Sequence, residues 1–149
     1  IIEERKEKLQ KPGDDHQYVF GALTTDHILH LDYDKSNGGG KPQELAIEPF
    51  DIDPANATLH YSIECFEGAK AYINSENHKD VIMFRINKNF ERLNNSHTQL
   101  GFPNFNVEEA IKCTGALIDL ERDWIPRRPN HSLYIRPNSI CMDNKLGLS

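Results

Sequence analysis

Two helix patterns follow one another in the second half of the chain, with strand-like segments on both sides. The second pattern carries a capping box, because Asn106 can cap its first turn and Glu109 follows three residues later. Its apolar residues recur at helical spacing: Val107, Ala110, Ile111, Thr114, Leu117 and Ile118. We therefore predict a helix that begins after Asn106 and packs one face on a core.

The preceding helix is expected to begin at Asn87, whose side chain can cap a first turn. Gly101 and Pro103 should end it, because glycine favours helix C-termini and proline cannot continue a helix. Its inward stripe is made of residues three or four positions apart: Phe90, Leu93, His97 and Leu100. Arg92 lies off this stripe.

Short strand patterns surround the two helices. They combine alternating or β-branched apolar residues with polar turn residues at their ends, and they cover 27–34, 59–63, 69–73, 81–86 and 132–140. Strands followed by helices and a further strand predict an α+β fold. In it, two or more helices pack on a mainly antiparallel sheet.

Composition limits the domain plan and the classes of function. Residues 1–15 are charged and are interpreted as a tail or linker, and 16–149 as the folded domain. The net charge of −6 without a clustered basic patch argues against nucleic-acid binding, and we find no apolar run of membrane-spanning length. The histidines and cysteines show no metal-ligand spacing, so no metal site is predicted.

The segment around Arg136 is the first candidate for chemistry. Side chains alternate faces along a strand, so Leu133 and Ile135 share one face and Tyr134 and Arg136 share the other. The guanidinium group binds a carboxylate through two hydrogen bonds, and a nearby phenol adds a donor. The same pattern also fits a solvated arginine whose stem is covered by the tyrosine.

Further candidates are less specific on residue types alone. Tyr61 is placed on a strand with Leu59 and Ile63, and Phe66 begins a turn in which Gly68 permits unusual backbone geometry. A buried core tyrosine followed by a plain turn fits equally well. The neighbouring Glu64 and Glu67 are interpreted as surface carboxylates that nothing pairs for acid–base chemistry, and Lys70 as a surface lysine.

Five blocks in order, between about Phe20 and the end of the chain, resemble the fold-type IV pyridoxal-phosphate aminotransferases, most closely the branched-chain group. The blocks are Phe20-Gly21 with Thr25-Asp26-His27, Leu59-His60-Tyr61-Ser62 with Phe66-Glu67-Gly68 and Lys70-Ala71-Tyr72, Phe84-Arg85 with Phe90-Glu91-Arg92-Leu93, Asp123-Trp124-Ile125-Pro126, and Ser132-Leu133-Tyr134-Ile135-Arg136-Pro137.

The resemblance implies roles for six residues. Arg92 matches the residue that holds the phosphate of the cofactor, pyridoxal 5'-phosphate. Tyr134 and Arg136 match residues that orient the substrate carboxylate. The pocket for the branched side chain is matched by three aromatic residues, Phe20, Tyr61 and Phe66.

The resemblance also implies what this chain lacks. No lysine matches the family's Schiff-base lysine, so that catalytic residue is expected in a large C-terminal domain outside this chain, which would be the small N-terminal domain. The chain alone is therefore expected to be inactive, as an excerpt of a longer polypeptide.

The implied reaction moves the amino group of leucine, isoleucine or valine to 2-oxoglutarate, in a homodimer in the cytoplasm or the mitochondrion. Two alternatives stay open. One is a D-amino acid aminotransferase or aminodeoxychorismate lyase of the same fold, and the other is a non-catalytic, stand-alone binding module.

Overall fold

Short antiparallel strands and three α-helices make up the part of the chain that the computed structural model describes, residues 1–3, 5–13 and 15–147. In chain order the elements are β1 (His27–His30), β2 (Tyr33–Asp34), β3 (Gly38–Gly39), β4 (Gln43–Ala46), α1 (Ala57–Tyr61), β5 (Glu64–Phe66), β6 (Ala69–Ile73), β7 (Val81–Met83), α2 (Ile86–Leu100), α3 (Val107–Leu120), a 3₁₀ turn (Arg122–Trp124), β8 (Leu133–Ile135) and β9 (Asn138–Ile140). The predicted α+β class is confirmed.

The central sheet has three strands in the order β7-β6-β8, and both neighbours of β6 run antiparallel to it. Three separate pairs complete the strand arrangement: β1 with β4, β2 with β3, and β5 with β9, all antiparallel. The expectation of a mainly antiparallel sheet is therefore met, although the strands form four small sheets.

One face of β6 points into the core. Ala69 and Ala71 are buried, whereas Lys70 and Tyr72 between and beyond them are exposed. Ala69 packs with the buried stripe of α2, and Ala71 packs with Ile118 of α3. The small alanine side chains let both helices pack closely on this face of the sheet. The opposite face of β6, which carries Lys70 and Tyr72, is exposed.

Helix α3 begins where the sequence predicts. The Asn106 side chain accepts a hydrogen bond from the backbone N–H of Glu109 at 3.0 Å, which satisfies one free donor of the first turn. The reciprocal half of the capping box is not used, because the Glu109 carboxylate pairs with Lys112 instead.

The predicted cap of α2 at Asn87 was wrong, because the helix begins one residue earlier, at Ile86. Arg85 occupies the N-cap position with a φ of 51° and makes no side-chain capping bond. Ile86, the first residue of the helix, is buried in the core with Phe90 and Leu93. Burial of Ile86 thus outweighs the capping that Asn87 could provide.

The predicted strand at 59–63 was also wrong, because residues 59–61 belong to α1 and Ser62 is its C-cap. Asn56 caps this helix by accepting from the N–H of Thr58 at 2.9 Å, and its side chain is fully buried. Ser62 then adopts the left-handed conformation and ends the helix. Tyr61 consequently lies at the last turn of a short helix.

Two longer strand predictions are each divided. The segment 27–34 becomes β1 and β2, and 132–140 becomes β8 in the central sheet and β9 beside β5. Pro137 lies at the second break and has no N–H to donate to a continuing ladder. The break leaves Arg136 at the point where the chain passes from one sheet to the next.

The predicted tail makes backbone contacts with the domain. Glu3 N–H donates to Glu44 O at 2.8 Å, Arg5 N–H to His27 Nε2 at 2.7 Å, and Leu9 N–H to the Asp26 carboxylate at 2.6 Å. The boundary at residue 15 stays a prediction.

The predicted ranges also include residues 4, 14, 148 and 149, which lie outside the described part. Across the described ranges, the helices are all too short or too polar to cross a bilayer.

Candidate active site

The outer side of β8 carries the predicted Tyr134–Arg136 pair. Arg136 Nη2 donates to the Tyr134 phenol oxygen at 3.2 Å, so the two side chains share a face as predicted. On the other side, Leu133 packs against the core around Ala71 and Ile118. Ile135 packs there too and also against the core around Ala69 and Phe90. Because the phenol oxygen accepts from Arg136, its own proton is free to be donated to a ligand.

Aromatic rings surround this pair. The Arg136 guanidinium lies 4.3 Å from the centre of the Phe66 ring, within cation–π range. Phe20 meets Tyr134 edge to face at 4.9 Å between ring centres. Four of the six predicted site residues therefore lie together: Phe20, Phe66, Tyr134 and Arg136. Aromatic rings lie around the guanidinium of Arg136.

Gly68 makes this arrangement possible. The Tyr134 phenol lies directly over its Cα, and a Cβ built on Gly68 would overlap the phenol oxygen and lie 3.0 Å from Cζ. The requirement for glycine here comes from this close approach, since its φ is not in the left-handed region.

Arg92 is held by a buried carboxylate. Its Nε and Nη2 atoms donate to the two carboxylate oxygens of Glu67, which is 6 % exposed, whereas the Arg92 side chain is 65 % exposed. The pair lowers the pKa of Glu67 through the hydrogen bonds from Arg92, although burial works in the opposite direction. The expectation that Glu67 is a surface carboxylate was wrong.

Three consecutive residues therefore touch three different site residues. Phe66 contacts Arg136, Glu67 binds Arg92, and Gly68 lies under Tyr134. The Glu67 N–H also donates to Pro137 O at 2.9 Å, which ties this segment to the residue after Arg136. The segment thus joins Arg136 to Arg92 on α2.

A shallow pocket opens beside this segment on the outer face of the central sheet. Its volume is about 220 Å³, and its lining includes Gly68, Lys70, Tyr72, Phe84, Asn89 and Tyr134. Small-molecule sites are typically roughly 300–1,000 Å³. The pocket would therefore enclose only part of a ligand.

Tyr61 lies apart from this group. Its phenol donates to the carbonyl of Leu146, and its ring lies 6.3 Å from that of His60 between ring centres. Its role in a substrate pocket stays a prediction. Lys70 is exposed, as predicted, but it also lines the pocket.

A second buried polar cluster was not recognised as a unit from the sequence. Glu121 accepts from the backbone N–H of Asp26 at 3.0 Å and from His27 Nδ1, and the Trp124 indole donates to Asp26 at 3.0 Å. Burial raises the pKa of Asp26, but hydrogen bonds from Leu9 and Trp124 together with nearby positive charge lower it overall. The two blocks that resemble the family at Asp26 and Trp124 thus meet in space.

The chain is similar in sequence to known proteins. No family model matches the chain. The branched-chain-amino-acid aminotransferase of Dictyostelium discoideum is 37% identical over 99% of this chain, which covers 39% of that protein. The cytosolic branched-chain-amino-acid aminotransferase of Rattus norvegicus is 36% identical over 99% of the chain, covering 36% of the rat protein.

A solved structure is similar as well. The branched-chain aminotransferase of the archaeon Thermoproteus uzoniensis with norvaline superposes with a TM-score of 0.52 at 26% identity, over 70% of this chain and 33% of that one. The chain spans about two fifths of the length of its curated relatives. Along nearly its whole length, the chain is therefore similar to about two fifths of a branched-chain-amino-acid aminotransferase.

Proposed function

We propose that this chain forms the small N-terminal domain of a pyridoxal-phosphate enzyme that transfers the amino group of leucine, isoleucine or valine to 2-oxoglutarate. One observation carries the proposal. The consecutive residues Phe66, Glu67 and Gly68 join an arginine suited to a carboxylate with an arginine suited to a phosphate.

The substrate carboxylate would bind at Arg136. The guanidinium is exposed and offers a planar fork, and the Tyr134 phenol proton supplies a further donor beside it. Phe66 and Phe20 would line the space next to the carboxylate and receive an apolar side chain. The norvaline in the archaeal relative, an amino acid with an apolar side chain, supports this arrangement.

The cofactor phosphate would bind at Arg92. Glu67 uses the Nε and Nη2 edge of the guanidinium, so the Nη1 edge remains for a phosphate. Its exposure on α2, one turn after the pocket residue Asn89, fits a cofactor that enters from the outer face. When bound, pyridoxal phosphate supplies the carbonyl that receives the amino group and a ring that withdraws electrons.

The rest of the site would come from outside this chain. The relatives are about two and a half times as long, and the pocket here is too small to enclose a cofactor with a substrate. The Schiff-base lysine would belong to the remaining part, and the chain alone would not catalyse transamination. The working form would be a homodimer, in the cytoplasm or the mitochondrion.

The Dictyostelium and rat relatives carry the branched-chain name, which favours this activity over a D-amino acid aminotransferase or an aminodeoxychorismate lyase. Their similarity extends over the residues of the site, which favours an enzyme over a stand-alone binding module.

The test uses the natural full-length protein with leucine, isoleucine, valine and D-alanine as amino donors. We expect Arg136→Gln to raise the KM for leucine by about tenfold to 100-fold, because a charge-assisted pair with the carboxylate is lost. Arg92→Gln is expected to weaken pyridoxal-phosphate binding by about tenfold or more. Arg122→Gln is the matched control. Arg122 lies outside the site, and its guanidinium is 3.6 Å from the carboxylate of Asp119.

A preference for D-alanine over leucine would refute the substrate assignment. An unchanged KM in Arg136→Gln would refute the carboxylate role of that residue. If the Arg122→Gln control moved either quantity as strongly, the effects would reflect general loss of structure.

A further inference from the structure

We infer that Glu67 is a positioning residue, which orients the Arg92 guanidinium so that its free edge faces the phosphate of the cofactor. The inference rests on the proposed function, because it takes Arg92 as the phosphate ligand. It adds a role for a carboxylate that repels phosphate and would otherwise be unexpected at such a site.

The atoms that pair define the orientation. Glu67 accepts from Nε and from Nη2, which lie on the same side edge of the planar guanidinium. An arginine has five N–H groups in a rigid fork, and this pairing occupies two of them. The Nη1 edge then points away from Glu67, and Nη1 has no partner among residues 1–3, 5–13 and 15–147.

The carboxylate is itself held in place by several groups. Asn89 Nδ2 donates to it at 3.2 Å, and the backbone N–H of Gly68 donates at 3.3 Å. The Glu67 backbone is tied to Pro137 O at 2.9 Å. A long, exposed arginine loses much side-chain entropy when it is ordered, so a fixed buried partner prepares Arg92 for binding.

The burial of the two partners separates this role from that of an ordinary surface ion pair. Glu67 is 6 % exposed and cannot follow Arg92 if that side chain turns outward, whereas Arg92 is 65 % exposed. The carboxylate therefore defines where the guanidinium lies, and the free edge lies on the exposed side. A surface pair between two mobile side chains would fix neither partner.

The deciding experiment measures affinity in the cofactor-free, full-length protein for pyridoxal phosphate and for pyridoxal, which lacks the phosphate. The variants are Glu67→Gln, Arg92→Gln and their combination, with Glu64→Gln as the matched control on the neighbouring exposed carboxylate. Glutamine keeps the shape of the side chain but places an NH₂ group against the donors that now converge on the carboxylate.

We expect Glu67→Gln to weaken pyridoxal-phosphate binding by about tenfold while pyridoxal binding changes by less than about twofold. The combined variant should lose no more than Arg92→Gln alone, because both changes act on one phosphate contact. Glu64→Gln should leave the ratio of the two affinities as it is.

Three results would overturn the inference. In the first, Glu67→Gln lowers both affinities in parallel, which would mark a purely structural role. In the second, it leaves or strengthens phosphate binding, which would mean that Glu67 only competes for Arg92. In the third, Arg92→Gln leaves the ratio unchanged, which would refute the phosphate site itself and so the proposed function.

Glu67→Asp gives a second variant if the glutamine protein does not fold. It keeps the charge but shortens the reach to Arg92, so we expect a smaller, still phosphate-selective loss of affinity. A loss shared equally by pyridoxal, or no loss, would again count against the positioning role.

Discussion

Gly68 and Tyr134 approach each other so closely that no side chain fits between them. A Cβ on Gly68 would overlap the phenol oxygen and lie 3.0 Å and 3.3 Å from two further ring carbons. The phenol in turn accepts the hydrogen bond of Arg136. The orientation of the proposed carboxylate-binding arginine therefore depends on a missing side chain on the neighbouring strand connection.

Gly68→Ala is expected to displace the Tyr134 ring and to raise the KM for leucine in the full-length enzyme by about tenfold. The tyrosine is only half-buried, so the ring can swing outward and the unfolding free energy should fall by less than about 2 kcal/mol. Steady-state kinetics and urea unfolding measure the two quantities. In a Tyr134→Ala background the glycine change should have little further effect on KM, and an equal effect there would contradict the steric explanation.

Gly115→Ala, in the interior of α3, is expected to stabilise the fold by about 0.5–1 kcal/mol. Nothing lies within 4 Å of a Cβ at this position, and alanine loses less backbone entropy than glycine. Gly101→Ala makes the opposite comparison, because Gly101 ends α2 with a φ of 74° and alanine there costs roughly 1–2 kcal/mol. Urea unfolding of both variants would show the two signs, and a destabilised Gly115→Ala would contradict the expectation.

Glu121→Gln is expected to lower the unfolding free energy by about 1–3 kcal/mol, because the amide NH₂ faces a donor that the carboxylate now accepts from. Glu121 is 2% exposed and accepts from Asp26 N–H and from His27. Trp124 is the single tryptophan of this chain and donates to Asp26, so its fluorescence follows this cluster when the chain is unfolded in urea.

Glu109→Gln is the control for this change, since Glu109 is exposed and its carboxylate pairs with Lys112 on the same helix. Its effect should stay within about 0.5 kcal/mol. Equal effects of the two variants would show that the buried cluster contributes little.

Acid is expected to weaken the fold through Glu67. Its pKa lies below the usual glutamate value of 4.5, chiefly because Arg92 donates to the charged form. A carboxyl group whose pKa is lower in the folded state stabilises the fold above the unfolded pKa, and this contribution is lost as pH falls through the folded pKa. The unfolding free energy should therefore be insensitive to this group at neutral pH and should fall below about pH 4.5.

Glu67→Gln tests the assignment, because glutamine does not titrate. The variant is less stable at neutral pH, but its stability should decline less between about pH 6 and about pH 3 than that of the natural protein. Parallel pH curves for the two proteins would mean that other carboxyl groups, such as Asp26, account for the decline.

Local patterns predicted much of the fold and some of the site. Asn106 caps α3 as expected, and Tyr134 lies with Arg136 on one face because alternation is a property of any strand. The prediction at 59–63 was wrong because five residues with alternating apolar side chains also fit one turn of helix. The buried cap at Asn56 decided the outcome.

Long-range pairs were beyond the reach of such patterns. Glu67 and Arg92 are 25 positions apart, and Asp26 and Trp124 are 98 apart. Glu67 alternates with the buried Ala69 and Ala71, but this pattern does not indicate which distant residue pairs with its carboxylate. The pairing depends on how α2 lies against the connection between β5 and β6, which is a property of the packed structure.

The contacts of Phe66, Glu67 and Gly68 also bear on how the chain tolerates changes of length. Each of the three residues serves a different partner, so one inserted or deleted residue would put all three out of step at once. The polar loop at 74–80, which connects β6 to β7, does not take part in these contacts. Among natural relatives, insertions should therefore accumulate in that loop and be absent from 66–68.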